Sequence, residues 1–594
     1  MNKRPIFSEY FFRHKLSYSF GAVLLTISLV LQLLVPLLLE DFTNGIQYFT
    51  VTASELLKLA IWFIVLGIGI FFFRSSGRIY IFRLSRMLER DLRTRLFTHW
   101  EKLPAEYYQQ QRIGNLMAHA VNDVNILRQI GMQGIFQMIE AVVLISIGIF
   151  MMAGMINWYL TLLVLLPLPG LTYLAYRFRI KIKMHSSKVQ EAIGILTSRV
   201  QEFCTGIRVI KTYVQEHEEM KKFTMENEEN VEANKQLIRS NSLFTSLSQG
   251  IAGLSYLISI VLGSILVMKG AISLGEFVAF NTYLSLLIAP IENLGKVINL
   301  FQQGKAAESR LSEVFATEPE IKDEKDVIPL KKINGDIIIK NLSFQYKNSN
   351  SYALKNIHLQ IKKGSSLAIV GKIGSGKSTL VNLLLRVYNP PGNTIFIDNY
   401  DIRTLPLKLL RTSIGYVPQT NFLFSSKIKE NIAFDPKPYQ DKQIFRAAQQ
   451  AHVYTDIMGF SDGFETTLGE RGLSLSGGQR QRVSIARAII KDSPIIIFDD
   501  SLSAVDANTE EKILKTLQTE MRGKTSIIIS HRISTIRHAD QIIVLDKGNI
   551  VERGNHESLL KRNGIYKNMF VQQSNEMNIQ SPNERIIRIK KRGD

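Results

Sequence analysis

The 594-residue sequence predicts a chain in two parts: an all-α domain of six membrane-spanning helices, then an α/β domain of P-loop type. Three observations predict it. Six apolar runs, each near the roughly 20 residues that a spanning helix needs, lie in the first half. A glycine-rich loop at 371–379 follows an apolar strand pattern and opens a helix in the second half. The formal charge of +20 divides unevenly, with +5 on residues 1–330 and +15 on 331–594. The mean hydropathy of +0.05 is therefore the average of two unlike halves.

The apolar runs are residues 18–39, 56–73, 135–156, 158–176, 243–268 and 277–301. The first is too long and too poorly flanked for a cleavable signal peptide. Residues 7–17 before it mix aromatics with Arg13 and Lys15 and read as an amphipathic helix on the membrane surface. Lys and Arg set the orientation. Residues 40–55 hold none, Asn157 is nearly the whole third connection, and 269–276 hold only Lys269. Arg74, Arg78, Arg83, Arg86, Arg90, Arg93 and Arg95 follow span two, and Arg177, Arg179, Lys181, Lys183 and Lys188 follow span four. Those two long connections, and both termini, are expected on the cytoplasmic side of the cell membrane. Poor in Gly and Pro, they read as helical extensions of spans two to five.

Within the spans, Glu140 and Glu292 are candidate substrate contacts, because an intramembrane carboxylate is a functional candidate by default. Phe277, Phe280 and Tyr283 either line an apolar cavity or serve packing. The expected domains are 1–318 (membrane), 319–335 (a charged linker with Pro319 and Pro329), 336–573 (nucleotide-binding) and a basic tail at 574–594.

Composition removes other classes. A single cysteine, Cys204, allows no intrachain disulfide and no site built on several thiolates. Collagen-like and disordered compositions are excluded. A basic half invites a nucleic-acid reading, but six spans argue against it, and no nucleic-acid partner is expected.

The soluble half opens with an alternating pattern, 336–346, that ends in Tyr346. Next come the apolar run 366–370 and Gly371-Lys-Ile-Gly-Ser-Gly-Lys-Ser-Thr379, the P-loop pattern in its strand–loop–helix context. Gly371, Gly374, Ser375 and Gly376 turn backbone N–H groups inward to cradle phosphates, and the following helix adds its positive end. Lys377 is placed to reach the β- and γ-phosphates, with Ser378 on Mg²⁺ and Thr379 beside it. A second apolar strand, 494–498, ends in Asp499-Asp500. Asp499 fits a role in holding Mg²⁺, and Asp500 faces the place of an attacking water. Between the P-loop and this second strand lies Leu475-Ser476-Gly477-Gly478-Gln479, a second anion cradle at a helix start.

On these motifs the chain resembles the ATP-binding-cassette (ABC) transporter family, and in particular the exporter half-transporter plan over its whole length. The resemblance implies the exporter-type ABC fold, ATP and Mg²⁺ as cofactors, and roles for matching positions. Tyr346 is similar to the aromatic that stacks on adenine. Gln419, in Val417-Pro-Gln419, resembles the glutamine that contacts Mg²⁺ and the membrane domain. His531 resembles the switch histidine near the γ-phosphate, and 503–506 the loop that crosses the cassette dimer. Leu468-Gly-Glu-Arg471 resembles the segment that touches the partner's cytoplasmic helices, and 112–119 and 205–213 resemble the two coupling helices.

One position departs from the family. Most members carry Glu after the strand-end Asp, to polarise the attacking water, whereas this chain carries Asp500. The stretch Leu475–Gln479 resembles the family's signature motif, and at Ser476–Gln479 it is intact. In this family each ATP sits between one chain's P-loop and the other's signature, so this chain's own site has a short base and its signature completes a site in the chain facing it. The pattern resembles the degenerate-site subunit of a heterodimeric bacterial multidrug exporter, with a second homologous half-transporter as partner, the lipid bilayer as surroundings and lipophilic compounds as substrate. A homodimer and a lipid or peptide exporter remain the alternatives.

Overall fold

The structure is a computed structural model that describes residues 6–48, 52–324, 327–347, 349–469, 472, 475–501 and 507–580. The expected dimer-crossing loop at 503–506, Glu470 and Arg471, and the basic stretch at 585–592 lie outside the described residues. The chain forms two compact units. One comprises Met1–Glu101 and Arg112–Thr317, the other Lys102–Gln111 and Glu318–Asp594.

The regular elements among the described residues of the first unit are all helices. A short α1 (Ile6–Arg13) precedes α2 (Lys15–Gln47) and α3 (Ala53–Trp100). Thr52 and Glu55 form a capping box at the start of α3, the Thr52 N–H donating to Glu55 Oε2 at 2.8 Å. The next helix, α4 (Ala105–Gln110), belongs to the other unit. A long helical stretch follows: α5 (Ile113–Ala118), α6 (Val124–Gln129) and α7 (Ile135–Met151), joined by π-helical turns at His119–Asp123 and Ile130–Gly134. A third π turn, Met152–Asn157, leads to the reversal into α8 (Trp158–Leu165). Asn157 is extended there and caps α8, its Oδ1 accepting the Leu160 N–H at 3.0 Å. Then come α9 (Leu168–Thr212), α10 (Glu216–Met268) and α11 (Leu274–Ala316), the last opened by the Ser273–Glu276 capping box.

Among the described residues, five helical stretches are long and apolar enough to cross a membrane. The expected run at 158–176 is split between α8 and α9 by Leu166 and Pro167, because the ring of Pro167 has no N–H to continue the α8 ladder. Glu140 is not a free carboxylate. It pairs with Arg74 at 2.6 Å, and Arg74 also lies 6.0 Å from the centre of the Phe136 ring. Phe280 and Tyr283 are buried against Leu29, Leu33 and Leu284, with the Tyr283 hydroxyl donating to Leu33 O at 2.9 Å, so both serve packing.

The second unit holds two sheets. The antiparallel sheet has the order β2-β1-β4-β5, with β1 Ile337–Gln345, β2 Tyr352–Ile361, β4 Ile395–Ile397 and β5 Tyr400–Asp401. The larger has the order β10-β9-β3-β8-β7-β6, with β3 Ser366–Gly371, β6 Ile414–Val417, β7 Ile495–Asp499, β8 Thr525–Ile529, β9 Gln541–Asp546 and β10 Asn549–Gly554. All its pairings are parallel except β9–β10. Its central strands β3, β7 and β8 read as continuous apolar runs because both faces are covered. Leu367, Ile369, Ile495, Ile497, Ile527 and Ile529 enter one core with β1 and α12 (Lys377–Leu384). Ala368, Val370, Ile496, Phe498 and Ile528 enter the other, with α15 (Asp441–Gln450) and α17 (Gly477–Ile490).

The expected linker is fastened to this unit. Arg386 is buried, and its guanidinium donates to the carbonyl of Lys322 at 3.2 Å and to those of Arg403 and Leu405 at 3.3 Å. The Leu407 N–H donates to Asp323 Oδ1 at 2.8 Å. The segment that groups with the nucleotide unit is 102–111, whereas the expected coupling helix at 112–119 starts in the membrane unit. Pro104 separates α4 from α3 and so frees it to pack elsewhere.

Candidate nucleotide site

Ligands of open parallel sheets bind at the carboxyl ends of the strands. Here β3, β8, β7 and β6 are successive neighbours. Their carboxyl ends carry the P-loop, His531, the pair Asp499–Asp500, and Gln419 respectively. Adjacent strands lie about 4.8 Å apart, so residues scattered from 371 to 531 in sequence become one row.

The P-loop has the backbone that its glycines permit. Gly374 and Gly376 adopt φ of +80° and +103°, and Gly376 caps α12. A Cβ at Gly376 would stand 2.6 Å from Ala353 O, whereas one at Gly374 would meet nothing. Lys377 curls over the loop, its ammonium donating to Gly371 O at 2.8 Å and Lys372 O at 2.9 Å. Ser375 Oγ is buried with no hydrogen-bond partner among the described residues. A buried hydroxyl without a partner costs free energy, and a phosphate oxygen beside this loop would satisfy it.

Asp499 is buried at the end of β7, within hydrogen-bonding reach of Ser378. Its carboxyl titrates above the ordinary range, first because burial strips its water; Asp500 adds to the effect, while Ser378, Lys377 and His531 oppose it. Lys377 shows the reverse. Burial lowers its pKa, and the two carboxylates partly restore it. A buried carboxylate against a hydroxyl and a second carboxylate is an oxygen-only donor set that suits a hard divalent cation. Asp500 adopts φ of +46°, and its N–H donates to Ile529 O at 2.8 Å, which fixes its Cα against β8.

His531 is half-buried. Its flanks are held by α18 (Ala507–Glu520), α19 (Ile533–Ile536) and α21 (Ile565–Gln580). Gln573 donates to His531 O, and Arg532 pairs with Glu510. Gln419 is exposed just past β6. Tyr346 is half-buried, with its hydroxyl 2.9 Å from Thr379 Oγ1 on α12. It meets Tyr388 edge-on at 5.1 Å, and the Tyr388 hydroxyl donates to Gln109 Oε1 of α4 at 3.0 Å. Tyr346 and Tyr388 share the wall of a cavity of about 190 Å³ with Pro104 and Glu106. The sequence singled out Tyr346 but not Tyr388 or α4. No local motif marks a contact made across some 280 residues.

The signature stands apart, at the start of α17. Ser476 and Gln479 cap each other: Ser476 N–H donates to Gln479 Oε1 at 2.9 Å, and Gln479 N–H to Ser476 Oγ at 3.2 Å. Ser476 and Gly477 are exposed, and Gly478 is half-buried. At the far end of the same motif, Arg487 donates to Asn431 O at 2.7 Å and Phe422 O at 3.1 Å, which ties α17 to the chain just after Gln419. Of the segment 468–471, Leu468 is buried, and its N–H donates to Ser426 O at 3.0 Å.

The family described as the ABC transporter transmembrane region matches residues 18–291, and that described as ABC transporter matches 354–503. The chain is 36% identical to the probable multidrug resistance ABC transporter ATP-binding/permease protein YheI of Bacillus subtilis (strain 168), covering 95% of this chain and 96% of that one. It is 32% identical to the multidrug resistance-like ATP-binding protein MdlA of Escherichia coli (strain K12), over 95% of each. It is 35% identical to the ATP-dependent lipid A-core flippase of Syntrophus aciditrophicus (strain SB), over 80% and 79%. The structure of a bacterial Atm1-family ABC exporter with ATP bound shares the fold, with a TM-score of 0.79 at 26% identity, covering 94% of this chain and 99% of that one. The chain belongs to the ABC transporter family, with the exporter-type fold of transmembrane domain fused to cassette, and is a multi-pass membrane ATPase coupled to transport.

Proposed function

We propose that the chain is one half of a heterodimeric exporter that extrudes amphipathic and lipophilic compounds across the cytoplasmic membrane, with both termini and the cassette on the cytoplasmic side. The observation that carries the asymmetry is Asp500. Its Cα is held by the bond to Ile529 O, so the backbone cannot advance to make up for the shorter side chain. Its own site is then slow, and its Ser476–Gln479 signature serves a competent site in the facing chain.

In this reading Lys377 exchanges the two loop carbonyls for β- and γ-phosphate oxygens, and Ser375 Oγ gains its missing partner. Tyr346 presents a ring face to adenine. Ser378, Gln419 and Asp499 hold Mg²⁺, which when bound offsets the triphosphate charge. Asp500 orients the attacking water, and His531, just past β8, the strand between the P-loop strand and that of Asp500, stands by the γ-phosphate. Closure of two cassettes on ATP favours the outward-facing state through differential binding to the two conformations.

The experiment is expression of the chain alone and with a fused half-transporter from the neighbouring reading frame, followed by co-purification. The heterodimer reading expects a stable pair whose ATPase persists when this chain carries Asp500→Ala. Full ATPase and drug transport by this chain alone refutes it. Lipid export is the second reading, favoured by the similarity to a lipid A-core flippase. Stimulation of ATPase by lipid but by no drug would select it.

A further inference from the structure

Behind the signature lies a charge pair that the capping of α17 does not explain. Gln479 spends its amide oxygen on the Ser476 N–H, and its Nε2 donates to Asp456 Oδ1 at 3.1 Å. Asp456 sits on α16 (Tyr454–Met458), 23 residues earlier in the chain. Arg482, one turn along α17, donates to both carboxylate oxygens of Asp456 at 3.0 and 3.3 Å and to the carbonyl of His452 at 2.5 Å. His452 in turn lies 3.0 Å from Thr516 Oγ1 of α18. The pair is mostly withdrawn from solvent, with side-chain exposures of 27% for Asp456 and 15% for Arg482.

Two consequences follow from the chemistry. An ionised carboxylate only accepts, so the Gln479 amide must turn its NH₂ to Asp456 and its oxygen to Ser476. Asp456 thereby decides which way the signature glutamine points. The same carboxylate also places a negative charge behind the first turn of a 14-residue helix, the end whose free N–H groups and dipole favour anions. Left unpaired, that charge would oppose a phosphate brought to Ser476–Gly478. The two-pronged contact from Arg482 cancels it.

We propose that Asp456 and Arg482 are positioning residues of the signature: Asp456 sets the orientation of Gln479, and Arg482 masks the charge that this orientation requires, so that the start of α17 stays attractive to the γ-phosphate facing it. The proposal rests on the reading that the signature completes an ATP site.

The test uses the full-length transporter, with its partner where it has one, in lipid nanodiscs, with ATPase measured against MgATP. Arg482→Gln unmasks Asp456 and raises the KM for ATP about five- to tenfold, the span of a partly buried charge at a helix end. Asp456→Asn does not raise KM but lowers kcat, because an amide at 456 can present either an oxygen or an NH₂ and no longer dictates which way Gln479 points. The double variant returns KM to within about twofold of wild type, on the strength of that same charge term. Arg482→Lys keeps the charge and rescues KM, which guards against a folding defect in Arg482→Gln. A double variant as impaired in KM as Arg482→Gln, or worse, overturns the proposal, because a merely structural pair shows no such rescue. Gly478→Asp is the control for the underlying reading. If it leaves ATPase unchanged, the signature faces no ATP and that reading fails. If it abolishes ATPase while Arg482→Gln and the double variant share one KM, only the present proposal fails.

Discussion

Asp500→Glu tests the degenerate site through reach. The backbone at this position is held by the hydrogen bond from Asp500 N–H to Ile529 O at 2.8 Å and lies in the left-handed region at φ +46°. With the Cα fixed, only the side chain changes reach, and one methylene advances the carboxylate by about 1.5 Å, one C–C bond. A displacement of about 1 Å in a catalytic group is worth on the order of 10²-fold in rate, or about 2.7 kcal/mol of barrier. Asp tolerates left-handed φ better than longer side chains, so Glu there costs up to about 1 kcal/mol of stability. The assay is steady-state ATPase of the chain purified alone in nanodiscs, with thermal unfolding measured in parallel. A rise of about 10²-fold in kcat with a slightly lower Tm is expected. Equal kcat for the wild type and Asp500→Glu, at any Tm, would refute the argument from reach.

Three further outcomes are expected. Asp499→Asn removes a buried charge and raises Tm without nucleotide at neutral pH. The pKa of Asp499 is raised on folding, so its carboxyl favours the fold below the ordinary 3.8 and ceases to as pH rises through the folded value. The gap between variant and wild type in thermal unfolding must therefore close as the solution is acidified, and a pH-independent gap would contradict this. Gly376→Ala forces a Cβ to 2.6 Å from Ala353 O at φ +103°, so about 1–2 kcal/mol of left-handed strain is added to the clash, and equilibrium ATP binding should fall sharply. In the membrane unit, Arg310 clamps the buried Asp123 across 187 residues, with its Nε at 3.2 Å from both carboxylate oxygens. Arg310→Met should cost about 2 kcal/mol, and Asp123→Asn should restore much of it; detergent-solubilised thermal unfolding reads both.

The sequence by itself determined the apolar spans, the P-loop, the strand-end pair Asp499–Asp500 and the signature, because each is a local pattern. A run of apolar residues, a glycine that must take positive φ, or a carboxylate after a buried strand needs only its neighbours to be read. The tertiary structure alone decided what contacts over long separations decide. It broke the fourth apolar run at Pro167 and paired Glu140 with Arg74. It strapped the linker to Arg386 and grouped residues 102–111 with the nucleotide unit. It placed β8 between β3 and β7, which sets His531 in the row from the P-loop to Asp500. It also brought Asp456 and Arg482 together behind the signature. Strand order and ion-pair choice follow from which buried surfaces and charges satisfy one another, and that sum is taken over the whole chain rather than over any stretch of it.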